Sequence, residues 1–360
     1  MEKLQSIVTH FLSQGTVDTI TPLGNGLIND TYKVSMQDGT QLCLQRINHA
    51  IFRDVPMLQH NIEAVTTHIR QKLAAAGEDD IERKVLRFIP AQTGNTYHQD
   101  TDGNYWRMSV FIPRSYTLEA VTPASSYDAG RAFGHFESLL TDIPEPLGET
   151  IPDFHNTELR ISQLKDAIAT DPAGRAGSVT DLTDSILKDA TRMTFAEQLH
   201  REGLLPKRIC HCDTKVNNML FDEEGRVLCV IDLDTVMPSF VFSDYGDFLR
   251  TAANKAAEDE PDLSKVGYDM NIFRAFTRGY LESARQFLLP IETDNLPKAA
   301  ALFPYMQCVR FLTDYINGDT YYKIQYAEHN LIRAKSQYRL FQCVEENTQE
   351  MSDYISLCLQ

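Results

Sequence analysis

The 360 residues exceed the size of a typical single core and predict two lobes or domains. Hydrophobic residues make up 42% of the chain and charged residues 23%, which is ordinary for a soluble globular protein. The 34 basic and 50 acidic side chains give a net charge of −16, which argues against nucleic acid or an anionic membrane as a partner, since both bind positive surfaces.

The first part of the chain has the pattern of a small antiparallel sheet with two helices. Helices are predicted at residues 3–14, which have one apolar side, and at Met57–Ala76. Strands are predicted at Val17–Leu23, Thr31–Met36, Gln41–Ile47, Val85–Ile89 and Tyr105–Ile112. Because short turns join the first three strands, we predict an antiparallel β-rich lobe spanning residues 1–113.

The loop between the first two strands carries Gly24 and Gly26. Glycine lets backbone N–H groups approach a ligand closely, so a loop of this kind can lie over phosphates. Two glycines in a hairpin are also common without a ligand. Taken alone, the loop favours an ordinary structural turn over a phosphate cover.

The second part of the chain, residues 114–360, is mainly helical in pattern. Helices are predicted at Asp128–Leu140, Glu158–Ala169, Asp181–Glu202, Asn271–Phe287, Pro304–Ile316 and His329–Glu346. The helix at Pro304 is expected to open on its proline, which a first turn tolerates. The whole pattern predicts an α+β fold with a small antiparallel β-rich N-lobe and a larger helical C-lobe.

Acid and amide side chains follow a fixed spacing between Ile209 and Asp247. Asp213 is followed five residues later by Asn218, a loop length that allows Asn218 to return beside Asp213, and Asp232 comes directly after the apolar strand Val227–Ile231. A hydroxyl that attacks a phosphate needs a base, and Asp213 on a loop suits that role. Mg²⁺ prefers hard oxygen ligands such as those of Asn218 and Asp232. The spacing therefore predicts a phosphoryl-transfer site.

Each part of this pattern also has a structural interpretation. An aspartate-rich loop is often only solvated, and Asn218 would suit a turn. His211 is better explained as a hydrogen-bonding residue that fixes the loop than as a base. Lys215 fits either a phosphate contact or a solvated side chain. All the acid and amide positions together, with a strand between them, favour phosphoryl transfer.

The seven cysteines are odd in number and lack paired C-x-x-C spacings, so we expect reduced thiols in a cytoplasmic protein. Cys210 and Cys212 flank His211, but consecutive residues of a strand point to opposite faces and no second ligand pair follows. A zinc site is therefore not predicted. No apolar run approaches a membrane span in length, and the start has no secretory segment.

The segments LGNGLINDTYKV, LQRINHAIF, HCDTKVNNML, IDLDTVMPSFVFSDYGD and VRFLTDYINGDTYY resemble those of the aminoglycoside phosphotransferase and choline kinase superfamily. Within it they look most like the bacterial N-acetylhexosamine 1-kinases, over about residues 5–345. The resemblance implies a protein-kinase-like two-lobe fold. It also implies an enzyme that uses ATP and Mg²⁺ to phosphorylate GlcNAc or GalNAc at the anomeric hydroxyl.

The resemblance also implies roles for individual residues. Asp213 is the expected catalytic base, Asn218 and Asp232 the expected Mg²⁺ ligands, and Asp234 faces either metal or sugar. The expected nucleotide-binding positions are Gly24, Gly26, Asn29, Thr31, Gln45, Glu63, Val110 and Ile112, the last two at the adenine-binding hinge. Arg310 and Tyr321 match residues that hold the hexosamine. An ion pair with Asp314, one helical turn further on, is the structural alternative for Arg310.

Two departures from the family pattern affect these expectations. Most kinases have a lysine on the third strand that pairs with a helix glutamate and with the nucleotide phosphates. Gln45 occupies that position here, and a hydrogen bond from Gln45 to Glu63 would bring no charge. Arg46 is expected to face the other way. Leu27 replaces a polar residue that some of the sugar kinases have in the glycine loop.

Three functions stay open at the level of the sequence. The first is a sugar 1-kinase acting on an N-acetylhexosamine. The second is a kinase of the same fold for choline, an aminoglycoside or another sugar, and the acidic excess permits a cationic acceptor. The third is a non-catalytic nucleotide-binding module, which the missing lysine invites. In each case the expected partners are small molecules, and the chain is expected to be a monomer or a homodimer.

Overall fold

The computed structural model describes residues 2–24 and 28–360. Its contacts divide the chain into two compact units. The first unit consists of Met1–Thr117, Leu139–Pro152 and Met219–Met237, and the second of Leu118–Ser138, Asp153–Asn218 and Pro238–Gln360. A division of the chain into functional lobes at residue 113 stays a prediction, because the first unit also takes in two later segments.

The strands are β1 (Val17–Pro22), β2 (Asp30–Met36), β3 (Gln41–Ile47), β4 (Phe88–Ile89), β5 (His98–Gln99), β6 (Tyr105–Val110), β7 (Arg208–Cys210), β8 (Met219–Phe221), β9 (Val227–Val230) and β10 (Met237–Ser239). The helices are α1 (Glu2–Thr9), α2 (Val55–Ala75), α3 (Ile81–Lys84), α4 (Pro123–Leu139), α5 (Thr157–Thr170), α6 (Thr180–Met193), α7 (Phe195–Arg201), α8 (Phe242–Ala252), α9 (Met270–Ala284), α10 (Pro290–Asp294), α11 (Leu296–Ile316), α12 (His329–Glu345) and α13 (Thr348–Leu359).

The first unit contains an antiparallel sheet in the order β1-β2-β3-β6-β4, with β5 also paired to β6. The predicted β-rich character of this part is confirmed. The strand predicted at Val85–Ile89 is only two residues long, because α3 precedes it and Val85 caps that helix.

Alternation along the strands separates two faces of this sheet. Leu44 and Met108 belong to the apolar core that also contains Ile7 and Val8 of α1. Their neighbours in sequence point to the opposite face, where Arg107 of β6 reaches Gln59 of α2. The second face therefore lies against one side of α2 and carries polar side chains.

The second unit is helical, and α11 is its most buried element. Helices α5, α8 and α12 contact α11, and nearly all of its residues are buried. The predicted start at Pro304 is wrong: α11 begins at Leu296, Pro297 lies in its first turn, and Pro304 lies inside the helix. Packing on all sides outweighs the hydrogen bond that Pro304 cannot donate.

Helix α8 lies close against α11 because Gly246 has no side chain. A Cβ at this position would lie 2.5 Å from the carbonyl oxygen of Ala299 and 2.4 Å from the ring of Phe303. The same helix carries Asp244 near its N-terminus, so this close packing fixes Asp244 within the unit.

One further helical prediction in the second unit needs correction, and some helices were missed. The segment predicted as one helix over Asp181–Glu202 is two, because α6 ends at Met193 and α7 begins at Phe195. Helices α8, α10 and α13 of this unit were not predicted. Within the described part of the chain, every helix is too short or too polar to cross a membrane.

Candidate active site

The loop that carries Asp213 is held by a buried carboxylate of the same unit. Asp244 accepts the backbone N–H of His211 at Oδ2 and that of Cys212 at Oδ1, both at 2.7 Å. Thr214 donates its hydroxyl to the Asp244 carbonyl oxygen, also at 2.7 Å. These bonds stabilise Cys212 in the left-handed region, at φ +62°, which side chains rarely adopt. The backbone before Asp213 is therefore rigidly placed.

Two neighbouring side chains fix the Asp213 carboxylate. Lys215 Nζ lies 2.5 Å from Oδ1, and Asn218 Nδ2 donates to Oδ2 at 3.0 Å. The Asp213 N–H points to His211 Nδ1 at 3.3 Å. Burial alone would lower the pKa of Lys215, but the charges of Asp213 and Asp247 raise it above its usual value. The result is an oriented carboxylate beside a lysine that keeps its charge.

Asn218 has the orientation that a cation ligand requires. Its Nδ2 also donates to the Asp213 carbonyl oxygen at 2.8 Å, so the amide nitrogen faces Asp213 and Oδ1 faces away. The predicted return of Asn218 beside Asp213 is therefore present. A carbonyl-type oxygen directed away from its protein neighbours fits a hard divalent cation. The roles of both residues stay predictions.

Beneath this loop, Asp244 lies beside a second buried acid, Glu137. Burial and the charge of Asp244 raise the pKa of Glu137 well above its usual value, and the Tyr280 hydroxyl donates to Glu137 Oε2 at 2.5 Å. Cys210 completes a group with ligand atoms within 4.8 Å of one another. Burial raises the pKa of the Cys210 thiol well above its usual value. Glu137 and Cys210 keep their protons, and the Asp244 oxygens accept backbone N–H groups. The three residues therefore form a scaffold for the Asp213 loop.

Arg310 lies among aromatic rings in the second unit. Its guanidinium lies 5.6 Å from the ring centres of both Phe154 and Tyr322, and Nη1 donates to Gln307 at 3.2 Å. Among the described residues, none supplies a carboxylate to Arg310. Stacking therefore orients the guanidinium while most of its donors stay available.

Asp314 does not pair with Arg310, so the predicted structural alternative is wrong. Its Oδ1 accepts the backbone N–H groups of Thr320 and Tyr321, and its Oδ2 accepts that of Tyr322 at 2.9 Å. The buried acid anchors the loop after α11, because backbone donors lie closer to it than the guanidinium. Tyr321 of that loop is 65% exposed.

His155 lies near both Asp213 and Arg310. Its Nδ1 lies 3.0 Å from Ser243 Oγ, and its ring stacks on that of Phe154 at 4.3 Å. Desolvation, and then the positive charge of Arg310, lower the pKa of His155 well below its usual value, while Asp213 acts in the opposite direction. His155 is therefore a neutral imidazole beside the cation Arg310.

In the first unit, the two acids after β9 have different surroundings. Asp232 is exposed and in the left-handed region at φ +59° and ψ +59°. Asp234 is buried: Oδ1 lies 2.5 Å from Arg107 Nη1, and Oδ2 accepts Asn29 Nδ2 at 2.6 Å. Asp234, predicted to face metal or sugar, has both oxygens engaged within its own unit.

Gln45 does not reach Glu63, so the suggested hydrogen bond is absent from the described residues. Gln45 Nε2 donates to Thr31 Oγ1 at 3.1 Å, and its Oε1 accepts Arg107 Nε at 2.9 Å. Glu63 is exposed and accepts Thr96 Oγ1 at 3.3 Å. Gln59, one turn earlier on α2, takes the buried position that faces the sheet.

The neighbouring Arg46 faces the other way, as predicted. It forms an ion pair with Asp30 across β2 and β3, and both side chains are about half exposed: 46% for Arg46 and 47% for Asp30. Arg46 thus belongs to an exposed ion pair, whereas Gln45, next to it in the chain, belongs to a buried polar network.

Of the glycine loop, the described part includes Gly24, Asn29 and Thr31, whereas Gly26 and Leu27 lie outside the described residues. Gly24 has φ +70°, which a side chain would strain. Asn29 Oδ1 accepts the N–H of Asn48 at 2.9 Å. Asn29 is therefore tied both to Asn48 and to Asp234, at the end of the predicted nucleotide-covering hairpin.

The predicted hinge residues differ in their backbone hydrogen bonds. Val110 donates its N–H to Arg87 at 2.9 Å, and the Ile112 carbonyl accepts the Ser115 hydroxyl at 2.8 Å. The N–H of the buried Ile112 has no acceptor among the described residues. A free donor at this position fits an adenine ring nitrogen.

The model of the phosphotransferase enzyme family, also called APH, matches residues 19–282. The chain belongs to this family. The phosphotransferase is also similar to the solved structure of amicoumacin kinase in complex with AMP-PNP, Ca²⁺ and Ami, at 13% identity and a TM-score of 0.62, covering 95% of this chain and 93% of that one.

A choline/ethanolamine kinase family protein from Mesorhizobium loti is similar at 18% identity and a TM-score of 0.56, over 99% of this chain and 98% of that one. The microcompartment-associated aminopropanol kinase is similar at 15% identity and a TM-score of 0.54, over 98% of each chain. These likenesses confirm the kinase-like fold of the phosphotransferase. With the family assignment, they establish an enzyme that transfers phosphate to a hydroxyl acceptor.

The prediction of site residues from the sequence missed Asp244, Gln59 and Arg107. Asp244 lies in the family-like segment ending in SDYGD, so its position was visible but its bonds to the Asp213 loop were not. Gln59 and Arg107 belong to no motif. Only the strand register places Arg107 opposite Gln45, and only the helix phase brings Gln59 to Arg107.

Proposed function

We propose that this phosphotransferase is a sugar 1-kinase that transfers the γ-phosphate of ATP to the anomeric hydroxyl of an N-acetylhexosamine, GlcNAc or GalNAc. The observation that carries the proposal is the set of side chains around His155 in the second unit. His155 lies near Asp213 and also near Arg310, whose guanidinium is flanked by the aromatic rings of Phe154 and Tyr322.

The side chains around His155 and Arg310 disfavour a cationic acceptor. Choline or an aminoglycoside would need free carboxylates and open aromatic faces. Here Asp314 is engaged with backbone N–H groups, and Asp247 with Arg250 at 3.0 Å, while the guanidiniums of Arg160 and Arg310 add positive charge. The acidic excess of the whole chain is therefore not concentrated in free carboxylates beside Asp213.

A neutral N-acetylhexosamine suits the same groups. Its hydroxyl and acetamide oxygens accept hydrogen bonds, and the free donors of Arg310 supply them. The apolar face of a pyranose ring packs well on an exposed aromatic ring, which Tyr321 offers. Arg310 and Tyr321 also match the hexosamine-binding positions of the family that the sequence resembles.

We propose Asp213 as the general base. Its carboxylate is oriented by Lys215 and Asn218, and it accepts the proton of the attacking hydroxyl as the oxygen–phosphorus bond forms and the bond to the leaving ADP breaks. Lys215 keeps its charge beside Asp213, where it would stabilise negative charge on the transferred group.

Asn218 and Asp232 have the oxygen donors that Mg²⁺ prefers, and we propose them as its ligands. When bound, the metal would offset charge on the phosphates. The free N–H of Ile112 supports adenine binding at the hinge, with the carbonyl of Val110 as the second partner. The amicoumacin kinase structure contains AMP-PNP and Ca²⁺, which agrees with a nucleotide and a divalent cation.

The second candidate is a kinase of the same fold with another acceptor, which the similarity to choline/ethanolamine and aminopropanol kinases favours. An acceptor panel separates the two. Purified protein with ATP and Mg²⁺ is expected to release ADP with GlcNAc or GalNAc, and to leave choline, aminopropanol and kanamycin unreacted. Turnover of an amine acceptor without turnover of a hexosamine would contradict the sugar proposal.

We also propose a cytoplasmic location, where ATP is abundant and thiols stay reduced. All seven cysteines are free in the described chain, and five of them are buried.

A further inference from the structure

The third strand of the sheet lacks the lysine that most kinases use to hold nucleotide phosphates. Gln45 stands at that position, and Arg107 lies directly opposite it on β6. Residues directly opposite in an antiparallel pair point to the same face of the sheet. The side chain of Arg107 therefore lies beside the place where the lysine would begin, and Arg107 Nε donates to Gln45 Oε1 at 2.9 Å.

Arg107 has donors that the protein does not use. A guanidinium carries five N–H groups, and three are directed to protein acceptors: Nε to Gln45, and Nη1 to Gln59 at 3.2 Å and to Asp234 at 2.5 Å. Across the described residues, Nη2 has no acceptor, although the side chain is only 3% exposed. Nη2 is not fully buried, so a ligand can reach its two donors and supply the acceptor that the protein does not.

The surrounding network holds this guanidinium in one direction. Asp234 pairs with Nη1 and is itself held by Asn29, while Gln45 is held by Thr31. Asn29 and Thr31 lie at the end of the glycine loop predicted to cover the nucleotide. The ion pair with Asp234 offsets the charge of Arg107 but leaves Nη2 with its two donors, as a fixed fork suited to a phosphate oxygen.

We propose that Arg107 binds a nucleotide phosphate through Nη2 and replaces the strand lysine of other kinases. Gln45 then serves as a spacer that positions the guanidinium. The proposal rests on the use of ATP given under the proposed function, and it does not depend on which acceptor is phosphorylated. The competing explanation is that Arg107 only neutralises Asp234.

Calorimetric binding of ADP and of adenosine distinguishes the two explanations, because only ADP carries phosphates. Arg107→Lys keeps a charge for Asp234 but loses the fork. We expect the ADP Kd to rise roughly 10- to 100-fold, as for one charge-assisted hydrogen bond, and the adenosine Kd to stay within about 2-fold. Arg107→Gln should give the larger loss of ADP binding.

Gln45→Lys in the Arg107→Gln background restores a cation from the opposite strand. We expect this double variant to recover at least about 10-fold of the ADP affinity that Arg107→Gln loses, with adenosine binding unchanged. Arg46→Gln is the matched control, because it removes an exposed arginine of the same sheet, and its ratio of ADP to adenosine affinity should equal that of the wild type.

The proposal is overturned if Arg107→Lys binds ADP like the wild type, or weakens ADP and adenosine equally. If Arg107→Gln does not fold, Arg107→Lys decides the question alone, since it retains the partner of Asp234. Failure of the wild-type protein to bind ADP would overturn the use of ATP itself and this inference with it. That result is distinct from the one in which the wild type binds ADP and Arg107→Lys binds it equally well.

Discussion

The Asp213 loop and the face of the sheet that carries Gln45 and Arg107, here called the Gln45 face, are both polar. They are built differently. In the loop, Asp213, Lys215 and Asn218 lie within six residues of one another, and one distant acid, Asp244, fixes their backbone. At the Gln45 face, every partner comes from a separate segment, and they meet only through strand register and helix phase. Chemistry that is local in the chain is visible as a motif, whereas chemistry assembled across a sheet is not.

The two regions also solve the burial of charge differently. Asp244 is surrounded by backbone N–H donors and a protonated neighbour, Glu137. Asp234 is paired with the cation Arg107. Loss of the first carboxylate would release a loop, and loss of the second would leave a buried guanidinium without its counterion.

The largest expected effect is on the chemistry of the loop. Asp213→Asn keeps the size and the hydrogen bond with Asn218 but cannot accept a proton. We expect kcat to fall roughly 10²- to 10⁴-fold, the usual contribution of a general base, with ADP affinity and unfolding unchanged. A near-normal kcat would mean that another residue is the base. The Asp213 loop would then no longer differ from the Gln45 face as the place of the chemistry.

The next effect concerns stability at the Gln45 face. Asp234→Ala leaves Arg107 buried without a carboxylate, and we expect urea unfolding to show a loss of about 3–5 kcal/mol. Asp30→Ala is the control, because it removes the partner of the half-exposed Arg46 and should cost no more than about 1 kcal/mol. Equal losses for the two variants would mean that the Asp234 pair is not buried as the structure shows.

Arg310→Ala is expected to affect the acceptor and not the nucleotide. The KM for GlcNAc should rise roughly 10-fold through loss of a charge-assisted hydrogen bond, while the KM for ATP stays unchanged. Arg339→Ala removes a charge that pairs with Glu346 on the surface of the same unit, and should change neither constant. A similar rise in both constants for Arg310→Ala would point to a structural role.

The smallest expected effect is the pH dependence beneath the loop. The pKa of Glu137 is raised in the folded state by burial and by Asp244, so the folded chain keeps a proton that the unfolded chain releases. Its contribution to stability is complete below the unfolded pKa, about 4.5, and is lost as pH rises towards the folded pKa. Glu137→Gln mimics the protonated acid, so unfolding measured between about pH 5 and 9 should fall less steeply than in the wild type. If Glu137→Gln leaves the pH dependence of stability unchanged, a group other than Glu137 holds the proton.

The sequence predicted the elements whose periodicity is undisturbed. Strands β2 and β3 were placed within one residue, because alternation and turn residues agree there. The start of α11 was missed because Pro304 suggested a helix opening, and only tertiary packing explains a proline in the interior of a helix. The break between α6 and α7 has no strong breaker residue in the sequence.

The same limit applies to the site. The spacing of Asp213 and Asn218 predicted that the two side chains meet, and they do. The suggested bond from Gln45 to Glu63 failed because Glu63 and Gln59 lie one turn apart on one helix, and the sequence does not fix which of them faces the sheet. Gln59 faces it and bonds to Arg107, which in turn bonds to Gln45. Nor does any motif reveal that Asp314 anchors a loop instead of pairing with Arg310.

The central claim is transfer of phosphate to the anomeric hydroxyl of an N-acetylhexosamine, and a blocked acceptor tests it most directly. ADP release is measured with GlcNAc and with its 1-O-methyl glycoside, which differs only at that hydroxyl. The account predicts turnover of GlcNAc with loss of its reducing end, and no turnover of the methyl glycoside. Equal turnover of both sugars would contradict it.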